Sequence, residues 1–160
     1  LDEGNEIYCH LLVGVALLAG ALGVGHVLAV GVLLVRLRCR AADMSWMRMR
    51  TAVANKPVEH SVKILEGLQI ASYFKEVLGG DSVARKKPDP EMLIQAMSAL
   101  SAAPAETVML GDSDVDVQAA RAAGIRVVGV TYGIGEWDES TKPDEVIDEP
   151  LELLEYLSKF

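Results

Sequence analysis

An apolar run, a turn rich in carboxylates and a helical pattern follow one another in this chain, and their order constrains the fold more than any other feature. The run occupies residues 107–110, the turn Gly-Asp-Ser-Asp-Val-Asp occupies residues 111–116, and the helical pattern ends near Gly124. Strand, turn and helix in this order predict one unit of a parallel α/β sheet. Such sheets bind ligands at the carboxyl ends of their strands, which is where Asp112 and Asp116 fall.

The same alternation of strands and helices is predicted from Arg50 onwards, where apolar segments at strand or helix spacing are separated by Gly, Pro and Asp. We predict an α/β fold with a doubly wound parallel sheet. The predicted strands are 50–54, 75–78, 108–110, 125–131 and an edge strand at 144–148. The predicted helices are 57–68, 90–100, 116–123 and 151–157.

Two further motifs accompany the carboxylate turn. Ala-Asn-Lys-Pro at residues 54–57 follows a predicted strand, and Gly-Gly-Asp-Ser at residues 79–82 leads into Lys-Lys-Pro-Asp-Pro at residues 86–90. Each lies at a predicted strand end or in the loop that follows one, where phosphate groups and hard cations are commonly bound. Mg²⁺ typically takes one or two carboxylates and completes its shell with water and substrate phosphate.

The order of these three motifs resembles that of the haloacid dehalogenase (HAD) superfamily, and within it most closely the phosphoglycolate phosphatase group. The resemblance extends from Thr51 to the C-terminus. It implies a HAD-like, Rossmann-like core that cleaves a small phosphate monoester through a covalent aspartyl-phosphate, with Mg²⁺ as cofactor. The implied partner is a small phosphorylated metabolite.

The resemblance also assigns roles to individual residues. It implies that Asp112 is a Mg²⁺ ligand, and that Asp116 either binds the metal or orients metal-bound water, although an acid here could instead cap the helix. It implies that Lys87 neutralises the phosphate and the nucleophile as a compact point charge. The family carries a phosphate-binding Thr or Ser at the position of Ala54, and Asn55 follows it. The side chain of Asn55 could bind phosphate or stabilise a turn.

Two other residues of the carboxylate turn are expected to have structural rather than functional roles. Ser113 is expected to shape the turn, and Asp114, between the two key acids, is expected to be exposed.

The nucleophile motif of the family is absent from this sequence. The family carries Asp-x-Asp-Gly-Thr after an apolar strand near the N-terminus, whereas the acidic cluster at residues 2–5 has neither the strand nor the second aspartate. The helical cap domain that follows the motif is also missing. We therefore predict an inactive phosphatase; the alternative is a non-catalytic module that binds phosphate or Mg²⁺, with residues 11–35 as a candidate membrane anchor. The missing strand is central in the family, and residues 27–35 are a candidate to fill its position without restoring chemistry.

Residues 1–50 form an atypical apolar and basic segment, distinct from a partial HAD-like core at residues 51–160. The run 11–35 contains a single polar side chain, His26, and Arg36 follows it. Three interpretations stay open: a membrane helix with its basic flank in the cytoplasm, a non-native stretch from a reading-frame error or degraded gene start, or an unusual soluble extension. We do not favour a membrane span, because the run replaces sequence that a HAD core requires.

Composition narrows the classes of partner. The net charge of −8 and the isoelectric point near 4.8 argue against nonspecific binding to nucleic acid. Cys9 and Cys39 do not make a disulfide framework, and free thiols fit a cytoplasmic location. The sequence predicts neither an oligomeric state nor the identity of the substrate.

Overall fold

The computed structural model of the protein describes residues 31–35 as backbone, and residues 50–149 and 151–159. The strands are β1 Gly31–Val35, β2 Arg50–Val53, β3 Glu76–Leu78, β4 Thr107–Gly111, β5 Arg126–Val130 and β6 Glu145–Ile147. The helices are α1 Val58–Gly67, α2 Glu91–Leu100, α3 Asp114–Ala122 and α4 Glu152–Lys159. Every helix and strand predicted from the sequence is present, with its ends shifted by at most two residues.

The six strands form one sheet in the order β3-β2-β1-β4-β5-β6. The pairs β2–β3, β4–β5 and β5–β6 are parallel, which confirms the predicted direction for these strands. Because the chain winds outwards in both directions from the centre, the order reverses beside β1 and β4. This reversal opens a crevice at the carboxyl ends of the strands, the usual ligand position in such sheets.

The central strand β1 is an exception to the parallel arrangement. It pairs antiparallel with both neighbours, with Gly31 opposite Val53 on β2 and Val32 opposite Leu110 on β4. Its carboxyl end therefore lies at the edge of the sheet opposite the carboxyl ends of β2 and β4. Of the residues predicted to fill the central position, 31–35 do so, and 27–30 lie outside the described residues.

The helices cover both faces of the sheet, as a doubly wound fold requires. Successive strand residues point to opposite faces. On one face Val53 and Met109 are buried with residues of α2 and α3, and on the other Ala52 and Val108 face clusters that contain α1 and α4. The largest fully buried apolar side chains are Met92, Leu93, Leu100, Met109, Leu153, Val53, Val108, Val117, Val127 and Val128. The strands thus hold the loops of the crevice on a packed core.

Only the end of the N-terminal apolar run is described. Residues 31–35 are a strand, and residues 11–30 lie outside the described residues, so the three interpretations of that segment stay predictions. Across the described ranges 31–35, 50–149 and 151–159, no helix has the length and apolar character needed to cross a membrane.

Burial should delay the ionisation of Tyr132. Its ring packs against the cluster of Val108, Leu110 and Val128, and this burial, together with the charge of Glu152, raises its pKa to about 12 from 10.0. The neutral phenol therefore stabilises the fold fully below about pH 10, and this contribution is lost as the pH rises to about 12.

A titration of phenolate absorbance checks this prediction. The ionisation near pH 12 should disappear in Tyr132→Phe and persist in Tyr73→Phe, which removes an exposed ring. Loss of an ionisation near pH 10 in Tyr132→Phe, with the ionisation near pH 12 retained, would contradict it.

Candidate functional site

Four loops meet at the carboxyl edge of the sheet. They are the loop after β2, which carries Asn55, the segment of Lys87, the turn from Asp112 to Asp116 after β4, and the loop 131–135 after β5. The first, third and fourth follow strands directly, so the sheet fixes their starting points. Hydrogen bonds between these loops bring Asn55, Lys87, Asp112 and Asp116 into one connected site.

Lys87 is the buried cation of the site. Its Nζ donates to Asp116 Oδ1 at 2.6 Å and to the carbonyl oxygen of Val53 at 3.1 Å, and the residue is only 5% exposed. An ion pair with so little water is weakly screened, and the charged groups shorten the hydrogen bond. Because an ammonium group has three N–H donors, contacts with the described residues leave one for a ligand. The peptide bond to Pro88 is cis.

Asp116 links the cation to the turn after β4. Its Oδ2 accepts hydrogen bonds from Ser113 Oγ at 2.8 Å and from the backbone N–H of Asp112 at 3.3 Å. It lies in the first turn of α3 and is 1% exposed. A Cβ atom on Gly111 would collide with the Asp116 side chain, so the close approach requires glycine there.

Asp112 is held through one of its two carboxylate oxygens. Its Oδ2 accepts hydrogen bonds from the backbone N–H groups of Ile134 and Gly135, at 2.9 and 3.0 Å, and the residue is 8% exposed. Within the described part of the chain, no hydrogen bond reaches Asp112 Oδ1. The carboxylate is therefore held in one orientation, and Oδ1 is the oxygen available to a ligand.

The loop that holds Asp112 was not predicted from the sequence. A Cβ atom on Gly133 would collide with Asp112 Cβ, and one on Gly135 would lie 2.6 Å from the Asp112 carbonyl oxygen. The sequence signal is the Gly-x-Gly at residues 133–135, directly after the predicted strand 125–131. Glycines at a strand end in such sheets indicate a close backbone approach.

The donor atoms fit a hard divalent cation that also binds substrate. Among the described residues, no group of three or more His, Cys, Asp or Glu side chains could enclose a metal ion. Mg²⁺ does not need such an enclosure, because it commonly binds through one or two carboxylates and takes its other ligands from water and phosphate. Asp112 Oδ1 supplies one such oxygen, while both oxygens of Asp116 already accept hydrogen bonds.

Asn55 contacts the backbone of Lys87. Its Nδ2 donates to the carbonyl oxygen of Lys87 at 2.9 Å, and its Oδ1 accepts the N–H of Lys87 at 3.0 Å. One of the two N–H groups of the amide is thus used, and the second remains.

The expectation that Asp114 is exposed is wrong. The helix α3 begins at Asp114 rather than at Asp116, and Asp114 is half-buried in its first turn. Its carboxylate accepts hydrogen bonds from the N–H of Val115 and from Gln118, on the helix itself. Among the described residues, no hydrogen bond or ion pair joins Asp114 to Lys87, so Asp114 does not belong to the site.

The fold and the site define a doubly wound α/β protein with a charged crevice at its topological switch point. The family model described as "Haloacid dehalogenase-like hydrolase" matches residues 49–130, more than half of the chain. The chain therefore belongs to the haloacid dehalogenase-like hydrolase family.

Curated relatives support this assignment over the same region. A phosphoglycolate phosphatase from Salmonella paratyphi A is 45% identical over 104 residues, which are 64% of this chain and 41% of that protein. A phosphoglycolate phosphatase from Escherichia coli is 42% identical over 104 residues with the same coverage. The chain thus spans less than half of the length of these relatives.

Solved structures share the fold. A predicted phosphoglycolate phosphatase from Haemophilus somnus superposes with a TM-score of 0.63 and 34% identity, over 67% of this chain and 48% of that one. A protein described as a β-phosphoglucomutase from Thermotoga maritima gives a TM-score of 0.60 and 27% identity, over 68% of this chain and 51% of that one. The HAD-like fold predicted from the sequence is confirmed.

Proposed function

We propose that this chain carries the phosphate- and Mg²⁺-binding half of a HAD-type phosphatase for small phosphate monoesters, and that it does not turn over substrate as it stands. Membership of the family and the phosphoglycolate phosphatase relatives support the class of reaction. The buried ion pair of Lys87 and Asp116 beside Asp112 supports the binding role. We also propose a small phosphorylated metabolite as the ligand and the cytoplasm as the location.

Three side chains would share the binding of the phosphoryl group and the metal. The remaining N–H of Lys87 would donate to a phosphoryl oxygen, and the second amide N–H of Asn55 could add a neutral hydrogen bond. Asp112 would hold Mg²⁺ through Oδ1, since its other oxygen is engaged by the loop 133–135. When bound, the metal would neutralise charge on the phosphoryl group.

The direction of β1 is the observation that carries the proposed lack of turnover. A carboxylate nucleophile must reach the phosphorus atom beside Lys87 and Asp112. The antiparallel β1 sends its carboxyl end to the far edge of the sheet. The sequence also offers no substitute near this strand, because no Asp or Glu lies between Glu6 and Asp43. Binding without hydrolysis is the expected outcome.

Calorimetric titration with Mg²⁺ and with inorganic phosphate tests the proposal. The chain should bind both, without releasing phosphate from a monoester. Asp112→Asn removes a carboxylate charge and should weaken Mg²⁺ binding by at least roughly tenfold. Asp114→Asn is the matched control. It removes the same charge only two residues away, and the Asp114 carboxylate is bonded to its own helix rather than to the site.

Two outcomes would contradict the proposal. Hydrolysis of a phosphate monoester that vanishes in Asp112→Asn would show that a nucleophile is present after all. Equal weakening of Mg²⁺ binding by Asp112→Asn and Asp114→Asn would show that only the overall charge of the chain matters.

A further inference from the structure

The backbone around Lys87 is held by side chains rather than by regular secondary structure. Glu91, in the first turn of α2, accepts hydrogen bonds from the N–H groups of Ala84 and Arg85, at 3.0 and 3.1 Å. The N–H of Asp89 donates to the carbonyl oxygen of Lys86 at 3.0 Å. These contacts fix the segment before and after Lys87 but leave Lys87's own N–H and C=O groups to another partner.

That partner is Asn55, which lies 32 residues earlier in the chain. The two hydrogen bonds between its amide and the backbone of Lys87 are reciprocal, as between neighbouring strand residues. A two-point contact of this kind fixes both the position and the orientation of one peptide unit. Asn55 is also only two residues beyond Val53, whose carbonyl oxygen accepts from Lys87 Nζ. The end of β2 therefore holds Lys87 at its backbone and at its tip.

We infer that Asn55 is a positioning residue, which sets the Lys87 ammonium against Val53 and Asp116 by binding the Lys87 backbone. The flexible four-carbon stem of a lysine does not by itself hold the ammonium in one place, so a fixed backbone narrows the positions from which the ammonium can reach both acceptors. Placing a charged group accurately requires a supporting layer of locked contacts. The consequence for phosphate binding rests on the proposed function, whereas the placement of Lys87 does not.

Competitive labelling of lysine amines under native conditions tests the inference without any ligand. The Lys87 amine, buried and bonded twice, should react slowly in the wild type, with the exposed Lys86 as the internal reference. In Asn55→Ala the labelling of Lys87 relative to Lys86 should rise by roughly tenfold, because two partly buried hydrogen bonds are lost. Asn55→Asp keeps the acceptor for the Lys87 N–H and loses the donor, so its increase should be smaller.

Asp81→Ala separates positioning from general loss of stability. Asp81 Oδ1 accepts the N–H of Val58 at the start of α1, a side chain-to-backbone bond in the adjoining loop. Its removal should destabilise the fold and leave the relative labelling of Lys87 unchanged. An equal rise in Asp81→Ala and Asn55→Ala, or no rise in Asn55→Ala, would overturn the inference.

Titration of the same variants with inorganic phosphate distinguishes the inference from the proposed function. Weaker phosphate binding in Asn55→Ala, together with the rise in labelling, supports both. A rise in labelling in a chain whose wild type binds no phosphate would leave the positioning role standing and overturn the proposed function. Unchanged labelling with weaker phosphate binding would overturn the positioning role and assign Asn55 to direct contact with phosphate.

Discussion

Replacing residues 1–49 with a family-type N-terminus, an apolar strand that ends in Asp-x-Asp-Gly-Thr followed by a helical crossover back to the start of β2, should give a Mg²⁺-dependent phosphatase. The new strand would take the place of β1 but run parallel to β2 and β4, so its carboxyl end would meet Lys87 and Asp112. An aspartate there could attack phosphorus, which divides one hard step into two easier ones. Release of phosphate from a monoester, with and without Mg²⁺, measures the gain.

Asp112→Asn in the restored enzyme should lower the rate by roughly a hundredfold or more, since metal neutralisation of the phosphoryl charge contributes several kcal/mol. Calorimetric titration with Mg²⁺ should show a parallel loss of affinity that does not depend on turnover. A segment in which the first aspartate is asparagine is the control and should stay inactive. An unchanged rate in Asp112→Asn would mean that the metal binds elsewhere.

Lys87→Met should destabilise the fold by ~3–5 kcal/mol, because it leaves the Asp116 carboxylate buried without a counter-charge. The side chains of the pair are only 3% and 2% exposed, so water cannot replace the lost ammonium. The free energy of unfolding from a urea titration gives the loss. The double variant Lys87→Met/Asp116→Asn should recover much of it, because the uncompensated charge is gone.

Lys63→Met is the matched control for this prediction. The pair of Lys63 and Glu59 has the same 2.6 Å separation, but its side chains are 70% and 72% exposed. Breaking it should cost less than about 1 kcal/mol. Similar losses of unfolding free energy in Lys87→Met and Lys63→Met, or a further loss in the double variant, would show that Lys87 does not stabilise the fold by compensating the charge of Asp116.

The elements of the fold were predictable because their signals are local. Apolar residues at strand or helix spacing alternate with turn residues from Arg50 onwards, and Gly124 ends α3 with a positive φ of 71°. The convergence of three predicted site residues was predictable for the same reason, and their roles stay predictions. Asp112, Asp116 and Lys87 follow strand ends or lie in the intervening loop, and the carboxyl ends of parallel strands converge at one edge of the sheet.

The direction of β1 could not be predicted, because Gly-Val-Leu-Leu-Val gives the same apolar pattern when read either way. The support for Asp112 was missed because it comes from the backbone N–H groups of Ile134 and Gly135, which every non-proline residue carries. Asp114 was assigned to the exterior because α3 was expected to begin at Asp116. The first two of these features depend on long-range contacts rather than on local propensity, whereas the third is a helix start placed two residues too late.

The antiparallel β1 shows that a strand can complete the central position of the sheet without directing its following residues to the site. A hydrogen-bonded ladder recognises peptide groups and not side chains, so the centre of this sheet accepts a strand of either polarity. Strand polarity nevertheless decides which edge receives the residues that follow the strand. In this sheet β1 keeps the central position, while the residues that follow it leave at the edge opposite Lys87 and Asp112, so a fold-level match alone does not establish turnover.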